Sequence, residues 1–196
     1  MIAPGSSWGE AGVPPRSLVV ARNEGDLGQM WQAGIREATL RDGSLRRVAG
    51  THGGPPRVRV LVDVIVVSRW IGASRSKTIL LGTMVLRSGR FPWSAVGIVT
   101  NSGFWGHRRI VTRAHPNDGY LDVLQVDPDM PIRQRIAAWK RASRGDHLPH
   151  PSLHVVHETS WTSKDGWYQI SSSGCRSSWA SRVACEIVPD AMTVWL

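Results

Sequence analysis

Cysteine is scarce in this chain: Cys175 and Cys185 are the only two in 196 residues, too few for a disulfide framework. In a reducing compartment both would stand as thiols. Long apolar runs are missing as well, and none approaches the ~18 residues that a membrane-crossing helix needs. The first residues carry neither the basic nor the apolar region of a secretory signal, so a cytoplasmic protein is expected. Phenylalanine and tyrosine number two each, against ten tryptophans. Aromatic bulk therefore falls on Trp, which is expected mainly in the core. Acidic residues are the minority charge, with 15 Asp and Glu against 24 Lys and Arg, a net +9. That balance favours anionic partners: phosphate groups, acidic lipid headgroups or nucleic acid. No nucleic-acid-binding motif is present, which leaves that last partner the least supported.

What is present describes a globular protein of one good core or one core with an appendage. Residues 1–16, rich in Gly, Pro and Ser, read as a flexible tail. Ser17–Arg22 reads as a short buried strand. Asn23 then caps a helix, with Glu24 and Asp26 in its first turn and Leu27, Met30, Trp31 and Ile35 at helical spacing. A strand fragment follows at Ala38-Thr39-Leu40, and a turn at Arg41-Asp42-Gly43-Ser44. Val48–Pro56, with three glycines and two prolines, reads as a linker. Residues 17–56 thus form a small α/β piece.

From Arg57 the pattern is that of strands. Candidates are Arg57–Ser68, Thr78–Arg87, Ala95–Thr100, Ile110–Thr112, Tyr120–Val126, Leu153–Trp161, Trp167–Ser171, Arg182–Val188 and Met192–Leu196. Pro189-Asp190 supplies a turn between the last two. Many short strands at turn-separated intervals predict a mainly β fold, a sandwich or a barrel. One helix interrupts them, opened by Pro131 and stopped by Gly145. Ile132, Ile136 and Ala137 give it an apolar side, while Arg133, Arg135, Lys140, Arg141 and Arg144 make it basic. A solvated face, an anionic membrane surface or phosphate contact would each suit it. His147, His150, His154 and His157 cluster in sequence, but Pro149 and Pro151 break any helix and a strand would turn His154 and His157 to opposite faces.

The most specific stretch is Asn101–Val123. Gly-rich turn chemistry opens it, a short apolar run follows, and Pro116-Asn117-Asp118-Gly119 turns back into Tyr120-Leu121-Asp122-Val123. This order resembles the second domain of the diacylglycerol kinase and bacterial lipid kinase family. The resemblance spans roughly residues 57–196, with an echo over 17–48. It implies a β-sandwich of the NAD kinase/diacylglycerol kinase C-terminal type over 57–196, beside the small N-terminal α/β piece. Most of the nucleotide-binding domain is missing by comparison, including a second Gly-rich loop.

The resemblance also implies site residues. Where the family carries Gly-Gly-Asp-Gly-Thr, a loop that receives nucleotide phosphates, this chain has Leu40, Arg41, Asp42, Gly43 and Ser44. Asp42, Gly43 and Ser44 retain the motif, while Leu40 and Arg41 replace both leading glycines and would obstruct a phosphate. A structural Mg²⁺ is implied at the acidic turn, held by the Asp118 carboxylate and the carbonyls of His115 and Tyr120. An Asp-Gly-Glu motif, whose Glu is the expected general base, is replaced by Ser173-Gly174-Cys175. The expectation is a degenerate, non-catalytic relative that binds an anionic lipid or phosphate ligand, with Mg²⁺ as its candidate cofactor and ATP disfavoured. Homo-oligomerisation stays open. The alternatives are an active ATP-dependent lipid kinase completed by a partner or second protomer, and a basic nucleic-acid-associated module.

Overall fold

The computed structural model describes residues 8–51, 54–89, 94–172 and 175–196. Two strands of 14 residues form its spine, β4 (Val58–Ile71) and β15 (Arg182–Trp195), paired antiparallel along most of their length. Around them a seven-stranded sheet assembles. β1 (Glu10–Ala11) and β5 (Ser74–Leu80) share the free edge of β4. On β15 the parallel strand β3 (Glu37–Leu40) is followed by β2 (Val20–Ala21), while β12 (Ser160–Thr162) pairs farther along. The second sheet has six strands, in the order β11 (Leu153–Glu158), β10 (Leu121–Val126), β7 (Ala95–Thr100), β6 (Thr83–Arg87), β13 (Tyr168–Ser172) and β14 (Cys175–Ala180). A short hairpin, β8 (Phe104–Trp105) and β9 (Arg108–Arg109), stands apart. The protein is mainly β, in two layers.

Alternation along the strands divides the apolar residues among three clusters. Met84, Leu86, Val99, Leu121 and Val123 face Ile65, Val67, Val183 and Ile187 between the sheets. Their neighbours Val85, Ile98 and Leu124 point the other way, into a cluster with Ile110, Met130, Ala142 and Leu153. The first half of β4 turns Val60, Val62 and Val64 toward α1 (Glu24–Gln32) and α2 (Ser44–Val48), where Leu27, Leu40 and Leu45 are buried. Cys185 lies in the inter-sheet cluster as a free thiol, and burial pushes it up to about 12.

The structure refines several sequence expectations. The segment read as a tail is built in from Trp8, whose indole N–H donates to Leu61 O at 3.0 Å, and Glu10–Ala11 joins the sheet; residues 1–7 lie outside the described residues. The strand expected over 17–22 shrinks to Val20–Ala21 at an edge, which leaves Val19 and Val20 exposed. Thr78–Arg87 breaks at Leu81-Gly82, where Gly82 takes φ +91° and lets the chain change sheets. Leu153–Trp161 likewise splits at Thr159, one half in each sheet. Pro189-Asp190 makes no turn: β15 runs through it as an irregularity between Val188 and Met192, with Asp190 at φ +49°. Ile110–Thr112 forms no strand, because the hairpin falls one pair earlier. β14 had no apolar alternation to announce it.

The basic helix is α3 (Ile132–Arg141), capped by Pro131. It lies over the outer face of the six-stranded sheet, held by Arg135, whose guanidinium donates to the carbonyls of Ala95, Asp127 and Pro128. No helix among the described residues is long and apolar enough to cross a membrane.

Candidate functional site

The acidic turn is organised by a residue the sequence did not single out. Asp63 is buried in the middle of β4. One carboxylate oxygen accepts the Gly119 N–H at 2.7 Å and the other accepts the Asp190 N–H at 2.8 Å. Its backbone extends the network: Asp63 N–H donates to Pro116 O at 2.7 Å, and Asn101 Nδ2 donates to Asp63 O at 2.8 Å. Asn101 Oδ1 in turn accepts from Gly82 N–H at 3.0 Å, and Asn117 Nδ2 donates to the Asp190 carboxylate at 2.7 Å. Asp63 thus ties both ends of the Asn101–Val123 stretch to the spine. Burial raises its carboxyl above the ordinary 3.8, against the downward pull of the two N–H donors. A polar residue inside the apolar run Val60–Val67 was the available signal.

Asp118 sits at the turn, where its carboxylate accepts the Tyr120 N–H at 3.0 Å. Asp122 and His157 face each other across β10 and β11, and the ligand atoms of Asp118, Asp122 and His157 all lie within 4.8 Å of one another. Asp122 is fully buried. Its Oδ1 pairs with Arg113 Nε at 3.0 Å and His157 Nδ1 at 3.2 Å, while its Oδ2 has no partner. Burial raises the Asp118 carboxyl, the Tyr120 N–H opposes this, and the Asp122 charge adds to the rise. A divalent cation fits this set. It would use the orphaned Oδ2 and relieve the crowding of two carboxylates, with water completing its shell.

The sequence pointed to the carbonyls of His115 and Tyr120 beside the Asp118 carboxylate, and the side-chain group in the structure contains Asp118 with Asp122 and His157. The His115 ring packs edge-on against Trp8 at 4.9 Å, its Nδ1 accepts the Asn117 N–H at 3.2 Å, and burial lowers its pKa. Tyr120 stacks its ring on His157 at 4.3 Å. Of the four clustered histidines, only His157 joins a metal-competent group among the described residues.

The Asp42–Ser44 loop packs against the Glu24 side chain. Gly43 takes φ +146° at the start of α2, and the buried Glu24 carboxylate lies beneath it. Glu24 Oε1 accepts from Ser44 Oγ at 3.0 Å and from the Leu45 N–H at 3.1 Å. A methyl group on Gly43 would meet that oxygen at 2.2 Å, so only glycine fits. Asp42 closes on its own turn by accepting the Gly43 N–H at 2.8 Å. Ser44 Oγ and the Leu45 N–H are thus engaged by Glu24, and the Gly43 N–H by Asp42. Ser173 and Gly174, where the general-base motif would fall, lie outside the described residues.

Two concavities flank the β8–β9 hairpin. One is an apolar cavity of about 140 Å³ between the six-stranded sheet and α3, lined by Ile98, Trp105, Ile110, Leu124, Trp139 and Leu153 among others. His147 borders it, buried, with Nε2 bonded to Ile110 O at 2.8 Å and Nδ1 unpartnered; burial lowers its pKa. Arg108 lies 4.5 Å over the Trp139 ring, its Nε also buried without a partner. The second is a polar groove of about 520 Å³ lined by Arg47, Ser102, Phe104, Arg109, Arg113 and His115 among others. Trp105 and Ile110 line the cavity while Phe104 and Arg109 line the groove, so the hairpin segment forms a wall between an oily space and a cationic one.

The two-layer β sandwich with its short α/β piece is similar in fold to solved diacylglycerol kinase-like structures. Two of them come from Bacillus anthracis str. Sterne, one described as "a putative diacylglycerol kinase" and the other as a diacylglycerol kinase. The first superposes with a TM-score of 0.58 at 11% identity, over 91% of this chain and 77% of that one. The second gives 0.50 at 11% identity, over 81% of this chain and 66% of that one. No family model matches the sequence, and no curated protein does. At this identity the likeness concerns the fold.

Proposed function

We propose that this chain is a non-catalytic, lipid-binding relative of the diacylglycerol kinases, and that the cavity under α3 takes the hydrocarbon of an anionic amphiphile. The apolar cavity carries the reading. Its 140 Å³ is close to the ~150 Å³ of an engineered apolar cavity that admits benzene, enough for about six carbon atoms. A longer chain would project outward past Trp105 and Trp139. His147 Nδ1, left as an acceptor because Nε2–H donates to Ile110 O, offers an unpaired polar atom to a glycerol hydroxyl. Arg47, Arg109 and Arg113 in the groove across the wall suit a phosphate-bearing headgroup. The Glu24 carboxylate, which engages Ser44 and the Leu45 N–H beside Gly43, supports the non-catalytic half of the proposal.

A cavity-filling variant tests this. Ala138 lines the cavity from α3, and Ala138→Phe adds a ring of nearly the cavity's size. Displacement of a fluorescent fatty-acid probe by lysophosphatidic acid should be saturable in the wild-type chain and weakened about tenfold or more in the variant, with the melting temperature kept. Equal displacement in both proteins would refute the assignment of the cavity. A thermal shift with Mg-ATP, accompanied by lipid phosphorylation, would refute the non-catalytic half.

A further inference from the structure

The hairpin between β4 and β5 projects from one end of the sandwich, and we infer that this end docks on the surface of an anionic lipid bilayer. The tip runs Ile71-Gly72-Ala73-Ser74, and Ile71 is 54% exposed. Behind it, Trp70 is the centre of a ladder across three strands. It pairs with Arg75 on β5 and Arg182 on β15, whose guanidinium groups lie 5.0 and 5.6 Å from its ring. The other sheet reaches the same end, since Ser181 N–H donates to Trp70 O at 2.7 Å and Gly166 N–H donates to Ser181 O at 3.0 Å. Next to these contacts are Trp167 and Trp179, 59% and 42% exposed. Tyr168, Ile170 and Ala180 face the inter-sheet core, so alternation turns Trp167 and Trp179 outward together.

The charge at this end is complementary to a membrane. Arg75 and Arg182 flank Trp70 next to the tip, Lys77 stands opposite Ser68 farther along β5, and Lys164-Asp165 follows Ser163, which bonds Val183 on β15. Tryptophan prefers the headgroup level of a bilayer, where its ring is half-buried and its N–H stays wet. Arginine and lysine near an acidic leaflet each add attraction that fades within a Debye length. A small apolar tip between tryptophans and cations has the chemistry of a shallow interfacial anchor. The basic helix α3 presents Ile132 as its one strongly exposed large apolar residue, and Trp139 is covered by Arg108, so charge there lacks an aromatic rim. The inference does not depend on the cavity being filled.

Co-sedimentation with phosphatidylglycerol–phosphatidylcholine vesicles tests the inference, with pure phosphatidylcholine as the uncharged control. Ile71→Ser with Trp167→Ala and Trp179→Ala, and separately Arg75→Glu with Lys77→Glu, should each lower partitioning about tenfold or more at unchanged melting temperature. Arg133→Glu with Arg141→Glu on α3 should leave it within about twofold. Because the charge pair lies on the exposed face of β5, it remains informative if the tryptophan variant is unstable. Full binding by both end variants, loss only in the α3 variant, or salt-sensitive binding to oligonucleotides without vesicle binding would overturn the inference. Vesicle binding by Ala138→Phe at the wild-type level separates this surface from the cavity.

Discussion

Replacing Asp63 should cost more than replacing Asp118, although Asp118 is the residue the sequence marks. Asp63 accepts two backbone N–H groups, from Gly119 and Asp190, in a buried site. Asp63→Ala leaves both donors unpaired, and each buried unpaired donor costs about 1–3 kcal/mol. Together that is about 2–6 kcal/mol, and relief of the carboxylate's desolvation brings the net loss to about 2–4 kcal/mol. For a chain of this length that is on the order of 10 °C in melting temperature. Asp63→Asn keeps one acceptor oxygen and should lose about half as much. Asp118→Asn retains an oxygen for the Tyr120 N–H and should change stability by less than about 0.5 kcal/mol. The pH dependence has a definite sign. Burial raises Asp63 above 3.8, so its contribution is full below that value and is lost as pH rises through the raised folded pKa. Wild-type stability relative to Asp63→Asn should therefore decline over that window. Thermal melts followed by circular dichroism across acid to neutral pH measure both effects. A melting temperature for Asp63→Ala within about 1 °C of wild type, or a larger loss for Asp118→Asn, would refute the reasoning.

Glu24→Ala strips the partner from Ser44 and the Leu45 N–H and should lower stability by about 1–3 kcal/mol in urea titrations, while Glu24→Gln loses less. Millimolar Mn²⁺ or Mg²⁺ should raise the wild-type melting temperature, by about 2.7 kcal/mol of stabilisation at a hundredfold excess over the dissociation constant, and His157→Ala or Asp118→Asn should abolish the rise. The cation needs the Asp118 carboxylate ionised, so this stabilisation should weaken as pH falls through its raised pKa. In a Cys175→Ser background Cys185 should resist Ellman's reagent at pH 8 until urea unfolds the chain, because burial shields its thiol and pushes it up to about 12. Rapid native-state reaction would show the inter-sheet core to be open.

Local chemistry made some elements legible and long-range pairing decided others. Asn23 followed by Glu24 and Asp26 announced α1, and Asn23 Oδ1 does accept the Asp26 N–H, at 3.1 Å. The Val-rich run of β4 and the turn at Asp118-Gly119 were equally plain. The corners at Leu81-Gly82 and Thr159 were hidden, because apolar alternation continues while the strand moves to the other sheet. Pro189-Asp190 carries turn chemistry, yet pairing with Val62–Val64 and the Asp63 carboxylate holds it in β15. Tryptophan divides: Trp195 is buried, whereas Trp167 and Trp179 face outward at the sandwich end. Composition cannot tell those roles apart. At the site, Asp118 was readable from its turn. His157 and Glu24 became partners only through contacts 35 and 20 residues away, with Asp122 and Ser44, which no local pattern encodes.

Photo-crosslinking with a diazirine-bearing fatty acid, mapped by peptide mass spectrometry, tests the lipid assignment most directly. The account predicts adducts concentrated on the peptides that carry Met130, Trp139 and Leu153, and their loss in Ala138→Phe. Adducts scattered over the surface, or unchanged by Ala138→Phe, would contradict it.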